Sequence, residues 1–151
     1  MSTRANIILK DGSNKLYFYR HSDGYPKGVM PTLNKFIEWL KSGKIRADIQ
    51  QGSGWLIVLG AIEYNAIPEY KTETVELFGR TYTETVDDSI QDPKDWKVGA
   101  YEPTNGLHGD IEYLYTIDLQ KKEIKADSVS FNYTTKKQTF TPISVIELQP
   151  A

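Results

Sequence analysis

Leu33, Phe36, Ile37 and Leu40 fall at i, i+3, i+4 and i+7, while Lys35, Glu38 and Lys41 take the opposite side. This period belongs to a helix that buries one face. Pro31 suits its first position and Gly43 its end, because proline pre-sets the helical φ and glycine accepts the left-handed turn that closes a helix. The residues just upstream carry the other period. Residues 4–10 read as a strand, Asp11-Gly12-Ser13-Asn14 as a turn and 15–21 as a second strand. Alternation along that second strand puts Tyr17, Tyr19 and His21 on one face and Leu16, Phe18 and Arg20 on the other. A hairpin followed by an amphipathic helix predicts a sheet with helices laid on it.

The rest of the chain fits this pattern. Ser22 to Gly28 holds two Gly and one Pro and reads as a loop. Trp55 to Ile62 is apolar on all sides. A buried strand would fit that run, but the polar Glu63-Tyr64-Asn65 and Pro68 end it as a helix ends, so a buried helix over about 53–64 is favoured, with Gly52-Ser53-Gly54 as a flexible lead-in. Strands are expected over 72–77, 96–101, 111–119 and 123–129, with further strand-like pieces from Val129 to Leu148. Gly79-Arg80 and Gln120-Lys121-Lys122 read as turns, and Glu102-Pro103-Thr104-Asn105-Gly106 as the end of the strand before it. The predicted class is α+β: a mainly antiparallel sheet built from hairpins, with two helices packed on one face. A chain of 151 residues, 39% of them hydrophobic, suits one domain over 1–151.

Several function classes fall away. There is no Cys, hence no disulfide scaffold, thiolate zinc site or cysteine nucleophile. No apolar run approaches the length of a membrane span, and the N-terminus lacks a secretory core, so the expected location is cytoplasmic. A net charge of −2 conceals an uneven distribution. Residues 1–50 hold nine Lys/Arg against four Asp/Glu, and residues 51–110 hold four against eleven. A small anionic ligand would be drawn to the first third, whereas the lack of an overall basic excess argues against duplex DNA.

The only two histidines sit in matching triplets, His21-Ser22-Asp23 and His108-Gly109-Asp110. In an extended chain, residues i and i+2 project to the same side with Cα atoms roughly 6.5–7 Å apart. An imidazole and a carboxylate placed so can form an acid–base pair or bind a divalent metal, and two such pairs brought together would offer a His2Asp2 donor set. The plainer reading makes each Asp a turn cap and each His a hydrogen-bonded strand end. Arg20 and Lys27 could hold a phosphate or carboxylate near the first triplet, with Arg4 adding cationic reach. Tyr25, between Gly24 and Pro26, could stack on a base or ring. Arg20 should nonetheless point away from His21 if the strand is regular. Phosphate-loop, dinucleotide-binding, zinc-protease and nucleophile-elbow signatures are all absent.

Three segments, Thr3-Arg4-Ala5-Asn6-Ile7, Tyr19-Arg20-His21-Ser22-Asp23-Gly24-Tyr25-Pro26 and His108-Gly109-Asp110-Ile111-Glu112-Tyr113-Leu114-Tyr115, resemble those of a group of small phage and bacterial proteins of no established activity. Members carry a T/S-R start, H-x-D-G-Y-P (often with Trp where this chain has Ser22) and a late H-G-D-I-E-Y. The resemblance covers about residues 2–119. It implies a phage or mobile-element accessory protein in a bacterial cytoplasm. The first expectation is therefore a non-enzymatic protein that binds a small anionic ligand, such as a nucleotide, or a host protein, between the 20–27 loop and the 106–112 segment. The alternative is a metal-dependent hydrolase: His21, Asp23, His108 and Asp110 would hold a divalent metal, the only cofactor in question, and Glu112 would act as general base. A structural assembly protein joined through Tyr-rich strand edges is a third reading.

Overall fold

The computed structural model describes residues 3–65, 72–77, 80–85 and 99–143. The first hairpin is β1 (Ala5–Asp11) and β2 (Asn14–Arg20), closed by Gly12 with φ +61°. Two helices follow, α1 (Pro26–Lys41) and α2 (Ile49–Asn65). Strands β3 (Thr72–Leu77) and β4 (Arg80–Thr85) pair antiparallel as a separate two-stranded sheet. Then come β5 (Glu102–Thr104), β6 (Tyr113–Asp118), β7 (Glu123–Asn132) and β8 (Lys137–Pro142). Six strands form one sheet in the order β5-β2-β1-β6-β7-β8. The class is α+β as expected, but the sheet is mixed: β1 and β6 pair parallel, and the other four neighbours pair antiparallel.

Both helices contribute to one core. Ala5, Ile7 and Leu9 of β1, Phe18 of β2, and Tyr115 and Ile117 of β6 meet Val29, Leu33, Phe36, Ile37 and Leu40 of α1 and Leu56 and Leu59 of α2. The Leu33/Phe36/Ile37/Leu40 stripe is fully used. Helix α1 begins five residues earlier than Pro31, however. Pro26 takes the first helical position after Tyr25, and Pro31 sits inside the helix. At this sixth position an amide would bond to Lys27 O, so Pro31 leaves that carbonyl without its helical donor, a cost that burial of the Leu33/Phe36/Ile37/Leu40 face offsets. At the other end Gly43, φ +76°, closes α1: its amide bonds to Leu40 O at 3.3 Å and that of Lys44 to Trp39 O at 3.0 Å.

Other boundaries also move. Gly52-Ser53-Gly54 is helical, with Gly52 set against Phe36, Leu9 and Leu119. Helix α2 is not buried on all sides, since Ile57 and Val58 are exposed. Residues 100–101 form a bend, and the strand lies at Glu102-Pro103-Thr104 instead. A proline is acceptable in that edge strand, where one side of the backbone needs no ladder donor. The expected loop at 87–93, the start of the 96–101 strand, and the last residues of the tail fall outside the described residues. Among the described residues no helix is long and apolar enough to cross a membrane.

Candidate functional site

The site is on the sheet face away from the helices. Strand register aligns Tyr19 (β2), Asn6 (β1), Leu114 (β6) and Asp127 (β7) in one row across that face. All four are buried. One pleat further, Glu112 N–H donates to Arg4 O at 2.8 Å, Val129 N–H donates to Glu112 O at 2.8 Å, and Val129 pairs with Phe140. Alternation therefore puts His21, Arg4, Glu112, Val129 and Phe140 in a second row beside the first.

His108 is bound over the first row by four separate contacts. Its amide donates to Asn6 Oδ1 at 2.7 Å, and its carbonyl accepts from Gln138 Nε2 at 2.9 Å. Its Nε2 shares a hydrogen bond of 3.1 Å with Thr104 Oγ1. Its ring stacks on Tyr19, with centroids 3.9 Å apart and planes 13° from parallel. Asn6, completely buried, completes the clasp by donating from Nδ2 to Phe18 O at 2.9 Å.

Tyr19 connects the two histidine segments. Its hydroxyl donates to Asp110 Oδ2 at 3.1 Å and lies 3.5 Å from His21 Nδ1. Arg4 Nη1 meets the same Asp110 oxygen at 3.2 Å. Burial, then the bond to Asp110 and that carboxylate's charge, hold the Tyr19 hydroxyl above the usual phenol range. It therefore stays protonated and acts as a donor. With ring centroids 6.2 Å from His21 and 3.9 Å from His108, Tyr19 brings both imidazoles to one place.

Neither triplet forms the expected internal pair. Asp23 has φ +54°, and Gly109-Asp110 lie in a turn, so the extended geometry that would align i with i+2 is absent in both. The Asp23 carboxylate accepts instead from the Tyr25 hydroxyl at 3.2 Å, leaving Tyr25 as an exposed residue capping α1. Among the described residues no group of three or more His, Asp or Glu is placed to hold a metal ion. The His2Asp2 donor set is thus not assembled. Glu112 is exposed at the rim, and Lys27 is exposed in the first turn of α1.

Arg20 does not line the site. Only 1% exposed, it points into the core, where Nε donates to Ser22 O at 2.7 Å and Nη2 pairs with the Glu63 carboxylate. Its guanidinium lies over the rings of Tyr101 and Tyr64 at 5.2 and 5.5 Å. Strand alternation is the cause, since residues 19 and 20 must face opposite sides.

The glycines of the first motif are also structural. A Cβ on Gly24 would lie 2.8 Å from Ala5 Cβ, and one on Gly28 would overlap Asp23 O. Gly24 N–H donates to Thr3 O at 2.9 Å, and Tyr115 Oη donates to Gly24 O at 2.7 Å. The sequence reading missed Asn6, Thr104 and Gln138. Asn6 did carry a signal, because a lone amide inside the apolar run Ala5–Leu9 needs specific partners if buried.

Comparison of the chain with protein-family models, with curated proteins and with solved structures gives no match.

Proposed function

We propose that this is a non-enzymatic accessory protein that binds a host polypeptide across the row His21, Arg4, Glu112, Val129 and Phe140. The observation that carries the reading is the fate of the catalytic candidates. Thr104 occupies His108 Nε2, and Asp110 is shared between Tyr19 and Arg4. His108 and Asp110 thus serve to fix a loop, and His21 and Glu112 stand exposed beside them on the surface.

A polypeptide fits better than a nucleotide. All three arginines of the basic first third are paired with carboxylates: Arg4 with Asp110, Arg20 with Glu63 and Arg46 with Asp48. The row itself spans four strand spacings, about 19 Å. It mixes one cation, one carboxylate, an imidazole, the half-buried Val129 and, at its end, the exposed Phe140, with Leu107 exposed on the adjoining loop. That blend is typical of a protein-binding rim. The phage or mobile-element setting, and with it a bacterial cytoplasm, rests on the resemblance of the three motifs.

Affinity capture from a bacterial lysate tests the reading, with wild type compared against His21→Glu and Phe140→Asp, both exposed positions. One host protein retained by wild type and lost by both folded variants is the expected result. Equal capture by all three would refute it. A large rise in melting temperature with a nucleotide, and no captured protein, would move the assignment to a small anionic ligand.

A further inference from the structure

Asn105-Gly106 is the single Asn-Gly step in the sequence. It lies in the bend between β5 and His108, with Asn105 exposed. An asparagine followed by glycine is open to attack on its own side chain. The next backbone nitrogen can reach the carboxamide carbon, and glycine has no Cβ to crowd that approach. The other asparagines, at 6, 14, 34, 65 and 132, precede Ile, Lys, Lys, Ala and Tyr, each of which brings a Cβ.

Hydrogen bonding singles out the same step. Asn6 is fully buried with both ends of its carboxamide bonded, and Asn132 Oδ1 accepts from the amides of Thr134 and Thr135. Of the two Asp-Gly steps, one has the Gly24 amide tied to Thr3 O at 2.9 Å. In the other, Asp11 Oδ1 accepts from Gln120 Nε2 at 3.3 Å. Among the described residues no hydrogen bond holds either the Gly106 amide or the Asn105 carboxamide. Gly106 does not use the left-handed region, and a Cβ there would meet nothing within 4 Å, so the bend has room for the side chain to close on it.

We infer that Asn105 is a site of spontaneous modification whose isoaspartate product loosens the seat of His108. Gly106 N gives up its proton and forms a bond to Asn105 Cγ. The Cγ–Nδ2 bond breaks, and ammonia leaves with that proton, closing a succinimide. Water then opens the ring with no change of oxidation state. Cleavage of the N–Cγ bond gives aspartate. Cleavage between the same nitrogen and the former backbone carbonyl gives isoaspartate, whose main chain runs through Cβ and Cγ. The consequence follows from the anchors on either side. Thr104 is in the β5 ladder opposite Tyr17, and His108 is held at its amide, its carbonyl and its ring. Only residues 105–107 join them, and Thr104 Oγ1 itself bonds to His108 Nε2 at 3.1 Å. Isoaspartate adds a carbon to the main chain of this short span, so the clasp on His108 gives way. Aspartate adds a charge and no length.

The test holds the full chain at neutral pH and physiological temperature for weeks, folded or unfolded in guanidinium, and weighs its peptides. In the folded chain Asn105 is expected to show the mass of the amide-to-acid change, at a rate of the same order as in the unfolded chain. Asn6 and Asn132 should stay intact there. Gly106→Ala should fold like wild type and convert several-fold more slowly. The isoaspartate form, isolated by chromatography and identified by enzymatic methylation, should lose protection of the His108 amide against exchange, while Asn105→Asp keeps it. An Asn105 that survives in the folded chain after the unfolded chain has converted overturns the inference, as does undiminished conversion in Gly106→Ala. So does full His108 protection in the isoaspartate form, or an equal loss in Asn105→Asp.

Discussion

Asn6→Ala probes whether the histidine segment is held by the sheet in the way described. Asn6 is fully buried, accepts from the His108 amide at 2.7 Å and donates to Phe18 O at 2.9 Å. The substitution deletes two hydrogen bonds and leaves the His108 N–H without its acceptor. A net bond is worth ~1 kcal/mol and an orphaned buried group costs ~1–3 kcal/mol, so the total should be about 2–4 kcal/mol. For a domain of this size that is a fall in Tm of roughly 5–15 °C. Urea denaturation followed by tryptophan fluorescence measures the first quantity and a thermal melt the second. Amide exchange adds a local readout, because the His108 N–H should lose protection in the variant before the β1–β2 ladder does. Gln138→Ala is the control: it removes one half-buried bond to the same loop, at ~1 kcal/mol. If Asn6→Ala lies within ~0.5 kcal/mol of wild type, the typical spread of neutral surface changes, the loop is not anchored through Asn6.

Gly28→Ala should destabilise by more than ~1 kcal/mol, although a glycine-to-alanine change in a helix ordinarily stabilises by about that much; the sign of the shift in a thermal melt reads out the clash with Asp23 O. Arg20→Ala strands Glu63 beside the core and should cost about 3–5 kcal/mol in denaturant titration, whereas a mere surface pair would cost under ~1 kcal/mol. Burial raises the hydroxyls of Tyr19, Tyr64, Tyr101 and Tyr115 above the ordinary phenol value. The unfolded chain therefore releases protons first, so stability is intact below about pH 10 and falls as pH rises past it, by up to ~1.4 kcal/mol per unit for each tyrosine. Tyrosinate absorbance should appear together with unfolding; titration of these rings in the still-folded protein would contradict their burial.

The local elements were legible because each carries its own period. The stripe from Leu33 to Leu40 and the alternation of Tyr17, Tyr19 and His21 against Phe18 and Arg20 both reappear as faces of the folded protein. The same alternation put Arg20 on the wrong side for a ligand. The start of α1 was misread because two prolines compete for one role, and only the Tyr25–Pro26 geometry separates them. The pairing of β1 with β6 is non-local, and no turn signal encodes it. Its one trace is the near-continuous apolar run Ile7-Ile8-Leu9, typical of a strand covered on both faces. The matching triplets contain the two histidines that Tyr19 brings together, yet φ +54° at Asp23 and the turn at Gly109-Asp110 depend on contacts that the triplets do not contain.

The parallel pairing of β1 with β6 also shapes how the chain comes into being. Ile7 finds Phe18 at once across a tight turn, but its other neighbour, Tyr115, is made only after more than a hundred further residues have been added. Until then this apolar strand waits with one side bare, in a ribosome-bound chain that grows by about 5–20 residues each second. Closing so long a loop is slow, which makes the interval before β6 arrives the time when a nascent copy is most exposed to aggregation and to chaperones.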